Sequence, residues 1–205
     1  MPDPTRFMTL EETLEVIADL KRRKKRSVNS RMNLIVFRLA CCCGLRRSEM
    51  AGLRLSDLVL SGARPCILIR KENTKGRWES RRPRKVPLWW DSGTLEDLRE
   101  WVEFRKTMNV TANDPVLCGV EEINYGKPLT GLLLAKRWKT AIRCLGAERV
   151  HQLSIHCGRH SYASLAFSAG RTLVEVKEAL GHSSIKTTSV YLHAAPRDVP
   201  DIFAV

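Results

Sequence analysis

The chain has 205 residues, long enough for one domain with a sizeable core, and its 43% hydrophobic content belongs to a folding chain, not a disordered one. No apolar run approaches the roughly 20 residues of a membrane span, and the opening MPDPTRFMTL lacks the apolar centre of a signal peptide, which together point to the cytoplasm. With 35 lysines and arginines against 22 acidic residues the net charge is +13, which suits a polyanion, most simply nucleic acid; an anionic membrane surface would ask for a long basic amphipathic helix, and none stands out.

In chain order, Thr9 to about Lys25 reads as a helix with Leu10, Leu14, Ile17 and Leu20 on one face, opened by a Thr9/Glu12 capping box. It runs into six consecutive basic residues, Lys21–Arg26, which are either a solvated helix end beside the negative pole of the dipole or contacts to phosphate. Asn29–Cys43 is a second, mainly apolar helix, closed by Gly44. Ser48 is expected to cap a short third helix carrying Glu49 and Leu53, which leaves Arg46 in the corner between the two. Leu58–Leu60, Cys66–Ile69 and Lys85–Leu88 suit three antiparallel strands, with Gly62 and Pro65 at the first turn. The second connection, Asn73 to Pro83, is long and basic (Lys75, Arg77, Arg81, Arg82) and contains Trp78.

Helices are predicted over Thr94–Lys106, over Thr130 to Leu145 with Gly146 as stop, over Ser154–Ala169 with Gly170 as stop, and over Thr172–Leu180. The stretch LGHSSIKTTSVYLH, Leu180 to His193, then offers a glycine turn at Gly181, His182, and a short helix ending near Tyr191. The seven cysteines are an odd number without a CxxC pair, three of them consecutive in an apolar run; buried thiols in a reducing compartment fit this better than a zinc site. The expected architecture is α+β and mainly helical, a single domain over 1–205 with a small three-stranded antiparallel sheet.

Four local patterns carry chemistry, and each has an ordinary alternative. Gly44-Leu45-Arg46-Arg47-Ser48-Glu49 could be a plain helical corner, and Thr74-Lys75-Gly76 a plain hairpin. His156-Cys157-Gly158-Arg159 puts a histidine and an arginine one turn apart in the first turn of a helix, where free N–H groups favour anions. In the last pattern, Tyr191 could simply pack in the core. A tyrosine hydroxyl, with a pKa of about 10, becomes a nucleophile only where cations favour the phenolate and a base takes its proton.

Their order and combination resemble the catalytic domain of the tyrosine recombinase (phage integrase) family, over about Met8 to His193. The family's GLRxSE corner is matched by Gly44–Glu49, its hairpin lysine by Lys75, its "VPL" by Val86-Pro87-Leu88, its HxxRH by His156, Arg159 and His160, and its LGHxxxxTTxxYxH by Leu180–His193. Gly158 departs from the usual leucine and is expected to loosen helix packing. Family members typically carry an N-terminal DNA-gripping domain, absent from this chain, so a small single-domain invertase or a truncated recombinase is implied.

The resemblance implies a DNA breaking-and-rejoining enzyme. Tyr191 would attack a phosphate held by Arg46 and Arg159, whose guanidiniums can donate paired hydrogen bonds to its oxygens. Lys75 would protonate the leaving 5′ oxygen, His156 accept the tyrosine proton, His182 hydrogen-bond the phosphate, and Glu49 orient the site from behind. A 3′-phosphotyrosine link keeps the energy of the broken bond, so no cofactor, metal or nucleotide is expected. The implied partner is double-stranded DNA in the nucleoid, with no membrane, a monomer when free and a homotetramer on synapsed DNA. Type IB topoisomerase-like relaxation and a non-catalytic DNA-binding regulator are the alternatives. The tail, Ala194–Val205, could dock on a neighbour or on its own domain.

Overall fold

The computed structural model describes residues 7–74 and 82–191. Lys75, Arg77, Trp78, Arg81, His193 and the tail from Ala194 lie outside them, as does the expectation for how that tail docks. Nine α-helices among the described residues surround one long apolar segment. They are α1 (Leu10–Arg23), α2 (Val28–Phe37), α3 (Arg47–Ala51), α4 (Ser92–Lys106), α5 (Gly131–Ala141), α6 (Ala147–Gln152), α7 (Ile155–Ser168), α8 (Leu173–Leu180) and α9 (Ile185–Ser189). Strands β1 (Leu58–Val59), β2 (Cys66–Ile69) and β3 (Arg84–Pro87) form an antiparallel sheet in sequence order. Ile67 faces Leu58 on one side and Val86 on the other. No helix among the described residues is long and apolar enough to cross a membrane.

α2 is the centre because its second half is mainly apolar: every residue from Met32 to Phe37 is buried, and the wide π-type turn Arg38–Cys42 that continues it is buried too. α1, α4 and α5 pack around α2, and α7 lies along the π-type turn. Cys41, Cys42 and Cys43 sit inside this contact, and burial pushes all three thiols up from their ordinary range.

Several local expectations change. Arg46, not Ser48, occupies the N-cap of α3: its backbone N–H donates to Glu49 Oε2 at 2.8 Å, so the carboxylate reaches back to close the turn. α4 starts earlier than Thr94, because Asp91 accepts from the Thr94 N–H at 2.9 Å. The helix expected to run from Thr130 to Leu145 stops at Ala141, gives way to a tight turn at Arg143–Leu145, and is followed by the unanticipated α6.

Half of the basic run has structural work. Arg22 and Arg23 pair with Asp19, Arg23 also donates to the Ala141 carbonyl at 3.0 Å, and Lys24 meets Glu100 at 2.5 Å. Gly158 overturns the expectation of looser packing. A Cβ there would lie 3.0 Å from Trp138 Cη2 and 3.1 Å from Ala40 Cβ, so the glycine brings α7 closer to its neighbours.

Candidate active site

The site begins at the corner after Cys43. Gly44 has φ +62°, and a Cβ there would fall 2.5 Å from Tyr162 Cδ1 and 2.9 Å from Leu180 Cδ2. Only glycine takes this backbone without strain and lets the corner press against α7 and α8. The second fixed point is the end of α8, where Gly181 takes the left-handed conformation (φ 64°). Between these two turns, backbone carbonyls become acceptors for arginines. Arg159, on α7 and 7% exposed, donates Nη1 to the Gly44 carbonyl at 2.6 Å and Nη2 to the Leu180 carbonyl at 2.5 Å.

Glu49 is fully buried and takes four hydrogen bonds. Its Oε1 accepts from Arg46 Nη1 and Arg84 Nη1, and its Oε2 from the Arg46 N–H and Arg84 Nη2, each at 2.8 Å. Those four use all the lone-pair positions of a carboxylate. Burial by itself would raise the Glu49 pKa; the Arg84 and Arg46 bonds and charges outweigh it and hold the carboxyl below its ordinary value.

Arg46 and Arg84 thus bind one carboxylate with the Arg159 charge close to it, which leaves the cluster rich in positive charge. The effect shows on the neighbours. Burial, then the nearby Arg46, pulls Arg159 down to about 9, still cationic at neutral pH. His182 is pulled down to about 4 by burial and then by Arg159, Arg46 and Arg84, so its ring is neutral at pH 7. Its Nδ1 lies 2.9 Å from the Oγ1 of Thr188, which is fully buried on α9. In the tautomer where the Thr188 hydroxyl donates to Nδ1, the neutral ring carries its proton on Nε2, which is then a donor.

Tyr191 closes the site just beyond α9. It is 9% exposed, its hydroxyl is 2.7 Å from His160 Nδ1, and its ring centroid is 6.5 Å from that of His182. Phe7 stands edge-on to Tyr191 at 6.2 Å. Burial raises the Tyr191 pKa and the Arg159 charge opposes it.

Among the sequence-predicted residues, the structure therefore brings Arg46, Glu49, Arg159, His182 and Tyr191 into one neighbourhood. His156 is exposed in the first turn of α7, and the ring that meets the Tyr191 hydroxyl is that of His160, one turn further on. Lys75 lies outside the described residues. Sequence reasoning missed Arg84 and Thr188 and gave His160 no part. His160 carried a signal as the last residue of the HxxRH match, and Thr188 as the second threonine of LGHxxxxTTxxYxH; Arg84 carried none of its own.

This helical fold with its small sheet and gathered arginines is that of a tyrosine recombinase catalytic domain. It superposes on the XerH site-specific recombinase bound to palindromic difH substrate in a post-cleavage complex, with a TM-score of 0.68 and 26% identity over 92% of this chain and 49% of that one. The XerA recombinase shares the fold with a TM-score of 0.69 at 18% identity, covering 94% and 59%. In sequence, 184 residues are 29% identical to the tyrosine recombinase XerH of Helicobacter pylori (90% of this chain, 46% of the relative). Over 151 residues the identity to the tyrosine recombinase XerC of Xylella fastidiosa is 35% (73% and 44%). Residues 6–197 match the phage integrase family, and the chain belongs to it. It spans about half the length of the relatives it matches.

Proposed function

We propose that this chain cuts and rejoins DNA strands as a site-specific recombinase, through a covalent link between Tyr191 and a 3′ phosphate. The observation that carries the reading is the excess of guanidinium over carboxylate close to Tyr191, with a neutral His182 beside it. A phosphate matches that excess in charge and in hydrogen bonding. Membership of the phage integrase family supports the same reaction, and the XerH relative with DNA bound supports the partner.

In the proposed step Tyr191 Oη bonds to phosphorus and the bond to the 5′ oxygen breaks. Arg46 and Arg159 hold the non-bridging oxygens, His182 donates to one of them, and Lys75 supplies the proton for the 5′ oxygen. His160 is the acceptor in reach of the tyrosine proton, and His156 contributes a phosphate contact from the first turn of α7. Rejoining reverses the step with another strand's 5′ hydroxyl, so the bond energy is conserved. The working assembly is a homotetramer on two synapsed duplexes, formed from monomers, and its place is the nucleoid.

The test uses nicked duplexes built from inverted repeats flanking the gene, incubated with wild type and with Tyr191→Phe. Wild type is expected to give a detergent-stable protein–DNA adduct and the variant none. An adduct with the phenylalanine variant would exclude Tyr191 as the nucleophile.

A further inference from the structure

We infer that Arg84 is a positioning residue for strand cleavage: by occupying both oxygens of Glu49, it restricts that carboxylate to one side-chain bond with Arg46 and leaves the rest of the Arg46 guanidinium for the phosphate. The inference rests on the recombinase reading above.

The geometry has two parts. An arginine beside a lone carboxylate ordinarily forms a two-pronged pair, with two parallel N–H donors on two oxygens. Glu49 sits three residues from Arg46 and would bind it in that way if both oxygens were available. They are not, because Arg84 approaches with its own fork, Nη1 on Oε1 and Nη2 on Oε2, both at 2.8 Å. Arg46 is left with a single side-chain bond from Nη1, and its side chain stays 23% exposed while those of Glu49 and Arg84 are 0% and 8%. Its other close contact, Nη2 to the Gly181 carbonyl, is long at 3.5 Å and readily exchanged for a phosphate oxygen.

The second part lies at the end of α8. Arg84 Nε donates to the Ala179 carbonyl at 2.7 Å, and its Cδ would be 2.7 Å from a Cβ on residue 181. The next carbonyl along, that of Leu180, is the one that accepts from Arg159. Arg84 on β3 therefore fixes the acceptor that aims Arg159 as well as the carboxylate that aims Arg46. A lysine keeps the charge, but its single ammonium is not a planar fork and cannot span both oxygens and the carbonyl.

The experiment compares wild type, Arg84→Lys, Glu49→Gln and the double variant by single-turnover adduct formation on nicked DNA and by DNA binding. All rates are taken at a temperature where melting curves show each protein folded. Arg84→Lys is expected to slow adduct formation on the order of 10²-fold, the cost of a small misplacement of a catalytic group, with DNA affinity changed less than about threefold. Because it acts through Glu49, the double variant is expected to be no slower than the slower single variant. An Arg84→Lys rate within about threefold of wild type overturns the inference. So does additive slowing in the double variant, or a loss of affinity that accounts for the whole effect. Absence of adduct from wild type itself would instead remove the recombinase reading, and this inference with it.

Discussion

Two buried arginine clusters in this molecule have opposite charge balance. Around Arg38, which is 1% exposed, one guanidinium faces two carboxylates. Its Nε and Nη2 are each 2.8 Å from Asp97 Oδ2, its Nη1 is 3.6 Å from Asp91 Oδ2, and Lys24 approaches Asp97 at 3.8 Å. The carboxylates, with the Cys42 sulfur, outweigh the burial and raise the Arg38 pKa. Around Glu49 the count is reversed, with Arg46 and Arg84 bonded to one carboxylate and the Arg159 charge close by, and here Arg159 and His182 are pushed down. The first cluster is balanced in charge as it stands, Arg38 and Lys24 against Asp91 and Asp97. The second is not, and in a folded protein an uncompensated buried charge is costly unless something binds there. The difference separates an arginine whose charge the core already balances from arginines whose excess charge an anion would balance, although all of them are largely buried.

Removing the arginine from each cluster tests that division, and the largest effect belongs to the balanced one. Arg38→Ala strands Asp91 and Asp97 in the core and is expected to cost about 3–5 kcal/mol of stability in chemical denaturation, with adduct formation per folded molecule unchanged. Arg159→Ala should do the reverse. In the proposed reaction it removes a donor to the reacting phosphate, so adduct formation is expected to fall about 10²- to 10³-fold. Stability changes less, because losing the donor to the Gly44 and Leu180 carbonyls is partly offset by relieving a desolvated cation beside Arg46. Equal stability losses for the two variants would erase the comparison.

The same contrast explains what could be read from the sequence. Arg46, Arg159, His182 and Tyr191 stand in local patterns whose residue order survives without coordinates. Arg84 does not: it lies in the run Arg81-Arg82-Pro83-Arg84-Lys85, where nothing local distinguishes it, and its partners Glu49 and Ala179 are 35 and 95 residues away. The strands were legible to within a residue or so because a short apolar run bounded by turns allows little else. α6 was not, since its six residues bury none of their side chains and so show no periodicity. The cap of α3 was misassigned to Ser48 because a serine is the commoner cap, whereas here the carboxylate of Glu49 does that work while also serving the arginines.

Gly158 sharpens the comparison from the packing side, with a smaller expected effect. It lies immediately before Arg159, where the family usually has leucine. Trp138, the side chain a new Cβ would meet, is fully buried, donates to the Leu153 carbonyl at 2.9 Å and stacks on Phe37 at 5.6 Å. Being held at both ends, it has little room to move aside. Gly158→Leu is therefore expected to destabilise by about 1–3 kcal/mol, measured by urea denaturation, even though it restores the common residue. A gain in stability would mean that the α7 contact has slack that the structure does not show.

The remaining contrast is the pH dependence of the unbalanced cluster, which shows only on the acid side of neutrality. His182 is held at about 4 by burial and by Arg159, Arg46, Arg84 and His160, against an ordinary 6.5. Between these values the unfolded chain binds the proton more readily than the folded one, so stability rises with pH. The contribution is fully present above about 6.5 and is lost as pH falls towards 4. Glu49, lowered from 4.5, adds its own loss only at the acid end of that range. His182→Gln should flatten the slope on the less acidic side of it, in denaturation curves taken at stepped pH. Orthovanadate, a phosphate-shaped anion, offers the sharper measurement. If the cluster lacks one anion, bound vanadate should cancel part of the guanidinium repulsion and move the His182 imidazole titration, followed by NMR, upward towards 6.5. An unmoved titration at saturating vanadate would mean that the excess charge around Glu49 is not a phosphate site.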